Sequence, residues 1–123
     1  MRMEAEFFLY SVEENEEKAS ISYKVNENTY KNEEIVALLF EYAKQMVDAS
    51  SPGANLKDCV ITVPPFWTRS QRASLIAAAT ASKLNVVNLI HENTAAALYY
   101  GAERNDEEKD HYAIFYNLGA SYL

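Results

Sequence analysis

A doubled proline, Pro64-Pro65, closes the short β-rich run Cys59 to Val63. Neither residue carries the amide hydrogen that a strand ladder needs, so the chain must change direction there. Just beyond, Thr68-x-x-Gln71 has the form of a capping box, which predicts a helix through about Lys83. Its Ala77-Ala78-Ala79 surface is thin enough to pack closely on a sheet. Val86 to Ile90 predicts a second short strand. Thr94 then opens a third helix over Ala95 to Tyr100, with Gly101 where a left-handed cap carries no steric penalty. Strand, helix, strand, helix in this order favours an α/β layer with parallel strands, and such layers bind ligands beyond the carboxyl ends of those strands. The ends carry Pro64, His91-Glu92 and Asn117-Leu118-Gly119.

Upstream, Ile21 to Val25 alternates between apolar and polar residues, turns at Asn26-Glu27-Asn28 and continues into Thr29-Tyr30, the pattern of a half-exposed hairpin. Glu6 to Val12 adds a candidate strand. Asn32 precedes Glu33 and Glu34 and is the expected N-cap of a first helix, with two carboxylates where the helix dipole favours them. Ile35, Leu38, Leu39, Tyr42, Ala43, Met46 and Val47 hold the spacing of one buried face, and Ser50-Ser51-Pro52-Gly53 ends the helix. Downstream, Ala102 to Asp110 reads as a solvated charged link. Tyr112 to Tyr116 reads as one more buried strand, running into Asn117-Leu118-Gly119-Ala120-Ser121.

With 123 residues the chain has the length of one domain or part of one, and 49% apolar with 24% charged residues is ordinary globular composition. A formal charge of −7, with acidic runs at Glu13 to Glu17 and Glu103 to Asp110, opposes binding to a nucleic-acid backbone. Cys59 cannot form an internal disulfide, and its neighbours Val60, Ile61 and Val63 predict a buried strand thiol. His91 and His111 have no second ligand at metal spacing, so no zinc site is expected. No apolar run approaches the ~18 residues of a membrane span, and Met1-Arg2-Met3-Glu4 does not lead into a signal peptide.

Val60-Ile61-Thr62-Val63-Pro64-Pro65-Phe66-Trp67, followed by Ser70-Gln71-Arg72, resembles the strand, proline turn and helix start of the seventy-kilodalton heat-shock chaperones. Leu89-Ile90-His91-Glu92-Asn93-Thr94-Ala95-Ala96-Ala97-Leu98-Tyr99-Tyr100-Gly101 is similar to that family's I-N-E-P-T-A-A-A-x-x-Y-G. The spacing between the two motifs also fits, and Asn32-Glu33-Glu34-Ile35 looks like the family's P-E-E-I helix start. Asn93 in place of proline, the doubled Pro64-Pro65 and Phe115-Tyr116 look most like the large endoplasmic-reticulum relatives.

The resemblance implies part of an actin-like ATPase domain, whose two lobes each contain a ribonuclease-H-like sheet with ATP or ADP and magnesium between them. By that mapping residues 1–50 are a peripheral part of the first lobe, 57–101 its core, 102–111 an acidic link, and 112–123 the first strand and remnant phosphate loop of the second. It implies polypeptide clients, co-chaperones or a partner chaperone, with no nucleic acid and no membrane. It favours the endoplasmic-reticulum lumen, with the cytoplasm as the alternative. The first phosphate loop and catalytic lysine lie upstream in the family, so this stretch alone is not expected to hold nucleotide tightly or to hydrolyse it.

On residues, the resemblance gives Glu92 a catalytic role, holding a magnesium-bound water or orienting the attacking one. A glutamate at a helix start is also a dipole-favourable cap. Asn117, Gly119, Ala120 and Ser121 occupy the family's aspartate-leucine-glycine-glycine-glycine-threonine phosphate loop, but only Gly119 keeps the glycine, and Asn117 has no charge to offer. Pro64 and Arg72 match positions that pass information between cleft and partner surface, against the simpler readings of a stop-strand proline and a solvated arginine. Phe66 and Trp67 are expected to anchor the turn by packing. Two other readings stay open: an adaptor with a decayed cleft, binding through Pro64, Trp67 and Arg72, and a sugar or glycerol kinase of the same superfold, which rests on architecture alone.

Overall fold

A computed structural model describes residues 10–15, 20–103 and 112–119. Strands β1 (Ser11–Asn15), β2 (Ser20–Val25) and β3 (Asn28–Lys31) precede helix α1 (Asn32–Ser50); β4 (Asp58–Val63), α2 (Arg69–Ala81), β5 (Asn85–His91) and α3 (Glu92–Ala102) follow. The fold is mixed α/β with two small sheets, β1-β2-β3 antiparallel and β4-β5 parallel.

The predicted hairpin is β2–β3, in register Val25↔Asn28, with Asn26 at φ 57° in the left-handed region that Asn tolerates. The candidate strand at Glu6 to Val12 is displaced: β1 begins at Ser11 and runs into the acidic stretch, while residues 6–9 lie outside the described residues. Lys31, one residue earlier than expected, is the N-cap of α1, and its amide donates to Glu34 Oε2 at 2.8 Å. Helix α1 ends at Ser50, and Gly53 turns the chain at φ 89°.

The covered face of α1 is only partly the expected one. Ile35 and Val47 are half-buried as expected, together with Glu33, Val36, Ala37, Phe40 and Lys44, whereas Leu38, Leu39, Tyr42, Ala43 and Met46 are exposed. The helix carries two apolar stripes, and α2 docks on only one. Lys44 fixes that choice: its Nζ donates 2.9 Å to the Ser82 carbonyl just past the end of α2, and 3.2 Å to Glu41 Oε2. A cation there satisfies an orphan carbonyl at the negative end of the helix dipole.

The capping box of α2 forms as read. Thr68 Oγ1 accepts from the Gln71 amide at 3.3 Å, and the Thr68 amide donates to Gln71 Oε1 at 2.8 Å. Ala78 and Ala79 are fully buried, and α2 meets both α1 and β5, so the absent side-chain bulk permits close packing on two sides. With Val63 and Leu84 they form the buried apolar set among the described residues, a small core to which Val63 adds about 1.5–3 kcal/mol. Cys59 is half-buried, and desolvation, with Asp58 adding to it, raises its pKa above the ordinary thiol value.

Two further expectations are corrected. Gly101 lies inside α3, which runs to Ala102, and is no left-handed cap. Residues 112–119 form no strand: they pair with neither sheet, and Tyr112 and Ile114 are 97% and 95% exposed. An extended segment becomes a strand only through a ladder partner, and residues 112–119 make no ladder bonds to either sheet. The charged link from 104 onward and His111 lie outside the described residues.

Candidate functional site

The β4–β5 pair fixes where the site residues emerge. Its register slips by one residue between Cys59↔Val86 and Val60↔Asn88, so the last pair is Val63↔His91. The proline turn after β4 and the first turn of α3 after β5 therefore leave the sheet side by side, at the carboxyl ends where parallel sheets bind ligands.

Pro64 is buried, and its carbonyl accepts from the Trp67 amide at 3.2 Å, closing the turn. Arg72, one turn into α2, reaches back over it. Its Nε donates to the Trp67 carbonyl at 3.1 Å and one terminal nitrogen to the Pro65 carbonyl at 3.2 Å, while the same nitrogen lies 3.5 Å from His91 Nε2. Half-buried Arg72 thus ties the turn after β4 to the cap of α3, and is not a merely solvated arginine. Trp67 is half-buried against a cleft shared by α1 and α2, as a packing anchor should be; Phe66 is exposed, contrary to expectation.

His91 is the N-cap of α3 and Glu92 its first residue, three positions earlier than the sequence suggested. Glu92 is half-buried, and its Oε2 accepts from Asn117 Nδ2 at 3.2 Å. Asn93 Nδ2 donates to the Phe115 carbonyl at 3.4 Å, and the Phe115 ring meets Tyr100 edge-on at a centroid separation of 5.6 Å. The acid after β5 and the expected phosphate-loop residue Asn117 are therefore brought together, and exposed Gly119 follows two residues on. Ala120 and Ser121 lie outside the described residues.

The contacts of Asn93 and His91 were not legible in the sequence. The available signal was that Asn93 replaces a proline, which has no side-chain donor. Magnesium takes oxygen ligands in near-octahedral geometry. Glu92 is a single carboxylate facing an amide N–H, and among the described residues no group of three or more His, Cys, Asp or Glu could hold a metal ion. The described residues around Glu92 do not fit a protein-held divalent cation. Among the described residues no helix is long and apolar enough to cross a membrane.

Comparison with known proteins supplies the family. The chain is 34% identical over 122 residues to hypoxia up-regulated protein 1 of Xenopus tropicalis, covering 95% of this chain and 18% of that protein. It is 35% identical over 124 residues to heat shock 70-related protein 5 of Dictyostelium discoideum, 94% of this chain and 24% of that protein. It is 36% identical over 100 residues to chaperone protein DnaK of Mycoplasma mobile, 81% of this chain and 16% of that protein. The chain thus spans less than a quarter of the length of these relatives. The family model described as Hsp70 protein matches residues 1–123, and the chain belongs to that family.

Proposed function

We propose that this chain supplies one wall of the ATP cleft of an Hsp70-type chaperone or chaperone nucleotide-exchange factor. In this reading residues 1–50 are peripheral to the first lobe, 57–101 form its ribonuclease-H-like core, 102–111 link the lobes, and 112–123 open the second lobe with a reduced phosphate loop. Glu92 orients water at the phosphates; Asn117, Gly119, Ala120 and Ser121 line them. Pro64 and Arg72 relay the state of the cleft to the partner-facing turn. Clients are unfolded polypeptides, partners are co-chaperones or a second chaperone, and the compartment is the endoplasmic-reticulum lumen.

One observation carries this: the Asn117 amide meets the Glu92 carboxylate at 3.2 Å, joining the end of β5 to the candidate loop at the carboxyl end of the parallel pair. The test is a chimera. Residues 10–119 replace the matching stretch of the Mycoplasma mobile DnaK, and ATP is titrated in by calorimetry. Binding is expected to persist; a folded chimera that gives no heat, while the parent DnaK does, would refute the reading.

The same contact favours a second reading, a nucleotide-independent adaptor, because Asn117 engages the acid that the chemistry requires. Asn117→Asp in the chimera separates the two. Restored turnover identifies an otherwise intact cleft, whereas no turnover together with no ATP binding identifies the adaptor.

A further inference from the structure

We propose that Asn93 and Asn117 form a reciprocal carboxamide clasp that docks residues 115–117 on the first turn of α3, and that this clasp takes the place of a divalent cation at Glu92. Each side of the gap supplies one donor. Asn93, on α3, donates to the Phe115 carbonyl at 3.4 Å, and Asn117, on the outgoing segment, donates to Glu92 Oε2 at 3.2 Å. Phe115 lies between the two bonds and is half-buried against Tyr100, while Tyr112, Ile114, Tyr116 and Leu118 are exposed. With no ladder bonds in this stretch, these contacts join it to α3.

Both amide orientations are set by chemistry. A carboxylate and a carbonyl oxygen accept only, so the –NH₂ end of each carboxamide must face them; the opposite flip would set oxygen against oxygen. A cation arriving at Glu92 Oε2 would meet the positive end of the Asn117 amide. Admitting it requires Asn117 to rotate, breaking its bond to Glu92 and one of the two ends of the clasp. The single carboxylate left would be a weak site for a strongly hydrated ion such as magnesium. Asn93 and Asn117 are positioning residues in this arrangement, and the proposal rests on their geometry, independent of whether the cleft binds ATP.

The test uses manganese as the cation probe, with nuclear magnetic resonance on the full chain. In the native chain, manganese is expected to leave the Glu92 and Asn93 amide signals as strong as those of α2. In Asn117→Asp, which sets two carboxylates side by side, the same signals should disappear selectively. Asn117→Ala removes the bond without adding charge: it should weaken the nuclear Overhauser contacts between the Phe115 and Tyr100 rings, and still show no selective broadening. Unchanged Val63 and Ala78 signals confirm folding in each case. Selective broadening at Glu92 in the native chain overturns the proposal, as does its absence in a folded Asn117→Asp. If the Asp variant does not fold, unchanged Phe115–Tyr100 ring contacts in Asn117→Ala overturn it instead.

Discussion

Val63 and His91 face each other as the last pair of the parallel β4–β5 ladder, and the one-residue slip near Cys59 puts them there. Without the slip Val63 would meet Ile90. With it, the buried proline turn and the cap of α3 leave the sheet together, and Arg72 can reach two carbonyls of the turn and the ring of His91.

Arg72→Lys should loosen the turn. A lysine has no planar fork to serve the Trp67 and Pro65 carbonyls at once. The expected loss is about 1 kcal/mol, because the contact is partly exposed. Trp67, the single tryptophan, reports it: its emission should shift red, and thermal unfolding should begin earlier. An unchanged unfolding curve would show that the guanidinium does not hold the turn.

Thr68→Ala removes the acceptor for the Gln71 amide and should cost about 1 kcal/mol, read as a lower urea midpoint with an unchanged slope. Thr68→Ser should restore most of it. Equal midpoints for Thr, Ser and Ala would assign the start of α2 to tertiary contacts alone.

Glu33 predicts a pH dependence. Its own backbone amide first, and then the Ser74 hydroxyl, hold its carboxyl below the usual carboxylate pKa, with Lys31 assisting and desolvation opposing. A folded pKa below the unfolded one gives stability that is complete above the unfolded value of about 4.3 and is lost as pH falls through the folded value. Ser74→Ala should therefore lower stability at neutral pH and converge on the parent in acid. Melting temperatures measured from neutral pH down to about pH 2 check this, and a constant difference would exclude the linkage.

Leu38, Leu39, Tyr42 and Met46 form an exposed apolar stripe on α1, of the kind that drives association. The chain should show concentration-dependent light scattering, reduced in Leu39→Lys with unchanged helical circular dichroism. A monomer at every concentration would show that the stripe does not self-associate.

The sequence by itself determined what depends on neighbours a few residues apart. Pro64-Pro65 stops β4 because a missing amide hydrogen stops a ladder anywhere, and Thr68 with Gln71 caps α2 because both partners lie within one turn. The turn at Asn26 was legible for the same reason, and the parallel order of β4 and β5 from the alternation of strands with helices. A motif singled out Glu92, but not the partner it meets.

Tertiary structure decided the rest, because the deciding partner lies far along the chain. Either apolar stripe of α1 could have been covered; the anchor of Lys44 on Ser82, 38 residues away, selected one. Tyr112 to Tyr116 has the composition of a strand, yet a strand exists only in a ladder, and this segment docks on α3 and pairs with neither sheet. Asn117 meets Glu92 across 25 residues only because α3 and the outgoing segment are brought together, a distance over which no local propensity acts.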